Sequence, residues 1–241
     1  SNYVYGYVVS EGSGKILRSD REIFGEYCFP GEPVHKEKIT FQDLLEYENV
    51  DFQGFRGDIY VKEAVIPEGA SIIPKSQFFG CRSLEKVCLP ESVSVIEDYA
   101  FADCNVLKVW ESMEKLSLKS VGISAFENCY ALEFISLPDS LTVIEGAAFA
   151  DCVSVNKLIF SDTSLLKKIG DHAFRGCRNL KEVYLPDGVE YVGISAFRDC
   201  VSLEQISVSE KIKDQPGIAE LEKNCPNARI RFREVNSVEK E

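Results

Sequence analysis

The chain has 241 residues, a formal net charge of −12, 45% hydrophobic residues and nine cysteines. That length supports one or two domains with a sizeable core, and a surface so acidic repels phosphate backbones, which argues against a nucleic-acid partner. No apolar run approaches the ~18 residues of a membrane span, and the opening SNYVYGYVVS lacks the basic start and continuous apolar segment of a signal peptide.

In chain order, residues 1–48 differ in pattern from the rest of the chain and read as an N-terminal cap, which a stacked architecture needs to cover its core. YVYGYVVSEGSGKIL predicts a hairpin around Gly12 and Gly14. Gly14-Lys15 is no phosphate loop, because Ile16 stands where Ser or Thr is required. TFQDLLEYE predicts a short helix capped by Thr40.

Next comes GFRGDIYV, with the Arg56-Gly57-Asp58 tripeptide that adhesion proteins present to integrins. The remaining sequence supplies a different explanation. Cys81, Cys104, Cys129, Cys152, Cys177, Cys200 and Cys225 are spaced by 23, 25, 23, 25, 23 and 25 residues. Zinc sites read as close pairs such as CxxC and none is present; regular metering means a repeat. The first six anchors close FFGC, FADC, FENC, FADC, FRGC and FRDC, and alanine precedes the Phe in five of them. A β-branched residue stands five positions before each Phe, from Ile73 to Val192. Apolar residues follow at +3, +6 and +8 from the anchor, as in Leu132, Ile135 and Leu137. Counting back 23 residues from Cys81 reaches Asp58, with Phe55 three positions before it. FRGD is therefore a degenerate form of the same signature, and RGD follows from the repeat register. The alternating intervals predict a pair of coils as the higher unit, with one loop enlarged by two residues on every second coil.

Each unit reads as one solenoid turn. LEKVCLP predicts a short strand with Leu84, Val87 and Leu89 inward. A turn follows, then a second extended piece such as VSVI, then about one helical turn over EDYAFADC. Stacking at ~4.8 Å gives a continuous core and about eight parallel strands. The anchor cysteines read as small core hydrophobes and free thiols. The fold class is α/β: a solenoid with a parallel concave sheet of about eight short strands and short helical turns. The predicted organisation is an N-terminal cap over 1–48, the solenoid over 49–209, and a C-terminal cap and tail over 210–241. IGDHAFRGCRNLKEVYLPDGV resembles the BspA-like leucine-rich repeats, and the pattern AFxxCxxLxxIxLP runs over residues 50 to 208. The resemblance implies a right-handed solenoid, a binding role, and secretion or display at a cell surface. Trp110 and Ser112, in place of strand aliphatics, and Asp58, in place of Cys, depart from that pattern.

Chemistry is sparse. The two histidines, His35 and His172, have no motif around them, and no triad, HExxH or calcium loop occurs. The expectation is no enzyme, no cofactor and no dedicated metal site. The +10 position is acidic in every coil, from Glu68 to Glu210; turn chemistry accounts for it, with stacked oxygen ligands for Ca²⁺ as the alternative. The outward +5 and +7 positions of the strands are the better functional candidate. There Val109, Phe134, Ile159 and Tyr184 form an apolar diagonal across four coils, the partner-binding site expected here. The leading reading is a non-enzymatic module for protein–protein interaction or adhesion. The alternatives are a structural spacer in a larger surface protein and, third, a carbohydrate binder using Phe134 and Tyr184. The sequence names no ligand and no oligomeric state.

Overall fold

The computed structural model describes residues 8–9, 16–17, 38–39, 56–57, 61–66, 68–111 and 115–234. Near the start, β1 (Val8–Val9) and β2 (Ile16–Leu17) pair antiparallel, as the predicted hairpin requires. The segment read as a capping helix lies outside the described residues. From β3 (Lys38–Ile39) onward every described pairing is parallel. β3 itself pairs with β4 (Glu63–Val65), so the ladder reaches back into the segment read as cap.

The chain is a parallel-sheet solenoid of about seven turns. Each coil contributes one longer and one shorter strand, on two sheets. After β4, the longer strands are β6 (Lys86–Cys88), β8 (Val109–Glu111), β10 (Phe134–Ser136), β12 (Lys157–Ile159), β14 (Glu182–Tyr184), β16 (Gln205–Ser209) and β17 (Arg229–Arg233). The two-residue strands are β5 (Ile72–Ile73), β7 (Val95–Ile96), β9 (Ser120–Val121), β11 (Val143–Ile144), β13 (Lys168–Ile169) and β15 (Tyr191–Val192). The short-strand sheet is continuous through all six. The long-strand sheet is not the single sheet expected. It divides into β3-β4-β6-β8, β10-β12 and β14-β16-β17. The breaks fall at two of the three junctions where the anchor interval is 25, and the β4-β6, β6-β8, β10-β12 and β14-β16 pairs all have a register offset of 23; at the third junction β16 and β17 stay paired, at an offset of 24. The first two enlarged loops thus coincide with gaps in the long-strand ladder, while the short-strand sheet runs on across them.

The core is a set of columns. Phe78, Phe101, Phe126, Phe149, Phe174 and Phe197 form one stack, with centroids 5.0–5.5 Å apart and planes within 11° of parallel. That face-to-face geometry is imposed by the rise from coil to coil, and every ring is essentially inaccessible to water. Beside it runs the thiol column. Cys129 Sγ donates to Phe101 O at 3.2 Å and Cys152 Sγ to Phe126 O at 3.1 Å. The contact recurs from Cys104 to Phe78 O through Cys225 to Phe197 O. A thiol is small enough for the slot and also gives a buried carbonyl a second donor.

The expected helical turn does not form. Between the short strand and the anchor of each described coil the chain makes three linked tight turns, such as Ala100 N to Glu97 O, Ala102 N to Tyr99 O and Cys104 N to Phe101 O. Two residues per coil are left-handed: Tyr99 (φ 57°) and Asp103 (φ 60°), Ser124 (φ 50°) and Asn128 (φ 62°). Left-handed backbone is costly for L-residues other than glycine, and least so for Asn and Asp. The return is a hydrogen bond along the stack. Tyr99 N donates to Ile123 O at 2.8 Å and Asp103 N to Glu127 O at 2.8 Å, and the pattern recurs down to His172 and Gly176. An α-helical turn would direct those donors back into its own coil.

After the last full coil come a 3-10 turn (Glu210–Ile212) and two short helices, α1 (Pro216–Ala219) and α2 (Leu221–Asn224). They close the turn side of the stack. Glu220 Oε2 accepts from Ser195 N at 3.2 Å and Ser195 Oγ at 3.3 Å, taking the place of the carbonyl that a further coil would offer. Gly217 fits there because a Cβ would stand 2.0 Å from Gly193 O.

Candidate functional site

Alternation along each long strand buries the central residue and turns its neighbours outward, as in Phe134-Ile135-Ser136 and Glu182-Val183-Tyr184. Three of the four predicted site residues are exposed on this face: Phe134 at 45%, Ile159 at 36% and Tyr184 at 51%. Register brings Ile159 opposite Ser136 and Lys157 opposite Phe134 on neighbouring strands. β12 and β14 lie side by side across the unladdered junction, carrying Ile159 and Tyr184 at equivalent positions. Val109, first residue of β8, occupies the place of Phe134 on β10, and the side chains of β8 lie outside the described residues.

Tyr184 is not a bare ring. The Arg233 guanidinium lies over it, 3.6 Å from the ring centre. Arg233 Nη2 also donates to Leu185 O at 2.5 Å and pairs with Asp187 Oδ1 at 2.7 Å. The last strand thus reaches past β16 and holds β14. Burial lowers the affinity of this guanidinium for its proton, and the nearby Asp162 opposes that. No motif marks this contact in the sequence; the one available signal is the alternation in RIRFR, which puts Arg229, Arg231 and Arg233 on one face.

The RGD segment behaves as the register requires. Gly57 N donates to Phe79 O at 2.7 Å, as Gly80 N does to Ala102 O at 2.8 Å, and both glycines are left-handed. Arg56 rests over the Phe79 ring, and Asp58 lies outside the described residues. His172 occupies one of the left-handed positions and is half-buried, not a free surface residue. Of the acidic +10 column, Asp139 accepts from Ser161 Oγ and Thr163 Oγ1 of the next, enlarged loop, and these bonds hold its carboxyl below the usual range. The donors to Asp139 are hydroxyls of the neighbouring coil, and Asp187 of the same column pairs with Arg233. Among the described residues no group of three or more His, Cys, Asp or Glu side chains is arranged to hold a metal ion.

A shallow groove of about 370 Å³ lies on the short-strand side, lined by Ile123, Glu145, Lys168, Asp171 and Tyr191 with Gly146 and Gly170. Its polar groups are engaged with one another. Lys168 Nζ meets Glu145 at 2.8 Å, and Asp171 Oδ1 accepts from Ile194 N at 2.9 Å and from the Tyr191 hydroxyl at 3.4 Å.

All eight described cysteines are free. Burial, reinforced by the adjacent thiol in the column, pushes Cys104, Cys129, Cys152, Cys177 and Cys200 well above the ordinary thiol range. Cys225, at the end of the column, is pushed up to about 11, mainly by burial. A thiol held protonated at neutral pH is a poor nucleophile and a poor metal ligand.

Stacked Phe and Cys columns, two parallel strands per coil and an exposed strand face define the class: a leucine-rich repeat solenoid. The chain belongs to the BspA type leucine rich repeat region family, whose profile matches residues 22–156 and 109–219 in six copies. Among solved structures it is similar to a leucine-rich repeat protein from Bacteroides ovatus, with a TM-score of 0.55, 20% identity, and coverage of 97% of this chain and 77% of the other. A leucine rich cell surface protein from Faecalibacterium prausnitzii shares 23% identity over 76% of this chain and 62% of its own, with a TM-score of 0.47. The T. pallidum leucine rich repeat protein shares 27% identity over 72% of this chain and 70% of its own, with a TM-score of 0.45. No curated protein matches the chain. No helix among the described residues is long and apolar enough to cross a membrane.

Proposed function

We propose that the chain is a non-enzymatic protein-binding module whose ligand docks on the long-strand face around Phe134, Ile159 and Tyr184, with Val109 extending the site. One observation carries this reading. Three large apolar side chains stand exposed together on a face whose neighbouring positions are mostly polar, on strands whose central residues are buried. Clustered exposed aromatics and aliphatics are the usual anchors of protein interfaces. Membership in the BspA-type repeats supports a protein partner and display at a cell surface or secretion. Buried, protonated thiols are compatible with such a location, because the thiolate is the form that oxidants attack.

Phe134→Ser combined with Tyr184→Ser tests the site. In a pull-down from cell-surface extracts beside wild type, the double variant loses the captured partner while its melt shifts only by the Arg233 contact, about 0.5–2 kcal/mol for a partly desolvated cation–π pair. A variant that keeps every partner would favour the spacer reading.

A further inference from the structure

The C-terminal end of the solenoid is closed on one side and open on the other. Glu220 satisfies the turn side and Cys225 completes the thiol column. The long-strand sheet ends on β17, and among the described residues nothing pairs with its far edge. β17 is five residues long, against three for most long strands, and it pairs with β16 along its whole length. Arg229 N donates back to Glu204 O, so alternation aims the backbone groups of Ile230 and Phe232 away from β16. Phe232 continues the buried Val208 column but is 46% exposed, with no further rung over it among the described residues. On the other face Arg229 and Arg231 are exposed and make no ion pair among the described residues. Two uncommitted arginines on a strand edge stand out in a chain of net charge −12.

We propose that β17 is a strand-addition site for a separate extended peptide that alternates acidic and apolar residues. Such a segment adds a rung to the sheet. Its backbone pairs with the outward groups of Ile230 and Phe232, its apolar side chains cover Phe232, and its carboxylates sit beside Arg229 and Arg231. A second copy of this chain fits badly, because pairing β17 with itself sets arginine against arginine, the arrangement by which edge strands resist self-association. The open edge of β17 is the end of the stack, and Arg229 and Arg231 extend to that edge the outward columns of the face that carries Phe134 and Tyr184.

The test uses fluorescein-labelled peptides and fluorescence anisotropy on the full chain. EVEIEV is expected to bind, and KVKIKV and the scrambled EEEVIV at least ten-fold more weakly. Arg229→Glu with Arg231→Glu should reverse the charge preference, losing EVEIEV and gaining KVKIKV. Phe232→Pro removes one outward N–H while sparing the β16 ladder, and should lose EVEIEV with an unchanged thermal melt. Equal binding of EVEIEV and EEEVIV, retention of EVEIEV by the charge-reversed variant, or no binding to wild type would overturn the proposal. So would concentration-dependent dimerisation in sedimentation that Phe232→Pro abolishes.

Discussion

Replacing Phe126 with alanine probes the column that holds the coils together. Its ring lies between Phe101, 5.2 Å away at 9°, and Phe149, 5.1 Å away at 11°. It is fully buried. Truncating a buried Phe costs about 3–5 kcal/mol in transfer and cavity terms, of which each lost ring pair accounts for about 0.5–1.5 kcal/mol beyond area burial. A loss near 4 kcal/mol shifts the folding equilibrium roughly a thousand-fold. The carbonyl that accepts from Cys129 N and Cys152 Sγ is untouched, so the change isolates the ring. Phe197, at the end of the described column, has one stacked neighbour there instead of two. In a repeat architecture a central rung supports two interfaces and a terminal rung one. Urea unfolding followed by far-ultraviolet circular dichroism should therefore rank Phe126→Ala as more damaging than Phe197→Ala. A cost below about 1 kcal/mol for Phe126→Ala, well under the range for a buried aromatic, or the reverse ranking, would refute the column as the main support of the stack.

The remaining expectations concern the thiols and the cap. In the native protein Cys88, half-buried on the long-strand face, should be the first of the described cysteines to react with iodoacetamide, and mass spectrometry without reduction should find the Cys104–Cys225 column unmodified and unbridged. The folded-state values of the column thiols are raised, so their contribution to stability is complete below the unfolded thiol value of about 8.5. It is lost as pH rises through the folded values, which begin with about 11 at Cys225. Urea midpoints should thus hold up to roughly pH 8.5 and fall above it, in step with thiolate absorbance of the unfolded chain. Glu220→Ala leaves the Ser195 amide and hydroxyl without their acceptor; the cost should be about 1–3 kcal/mol, with amide exchange accelerating first at residues 194–200.

The register was legible in the sequence because it is written in bulky, unambiguous residues. Phe at one slot and Cys three positions later must both be inside, and the structure buries each described one. The enlarged loops were legible too, as two extra residues before every second Phe. Their consequence was not, because an insertion in a loop does not announce that the strands beside two of the three lose their ladder and those beside the third keep it. The turn between short strand and anchor reads as helix because Ala and Phe at that spacing fit one helical turn. Nothing in Tyr99, Ser124 or His172 signals positive φ, which is enforced by carbonyls of the next coil. The same limit explains the site. Alternation put Phe134, Ile159 and Tyr184 on the outer face, but the Arg233 side chain on Tyr184 depends on a strand beyond the last Phe-bearing coil. The end cap depends on Glu220, which belongs to no repeated column.

Hydrogen–deuterium exchange of the captured complex, read by mass spectrometry, tests binding on the long-strand face most directly. The account predicts that the partner slows exchange over residues 134–136, 157–159 and 182–184 and leaves the turns at 98–103 and 171–176 unchanged. Protection confined to those turns, or to the groove beside Ile123 and Tyr191, with the long strands unaffected, would contradict it.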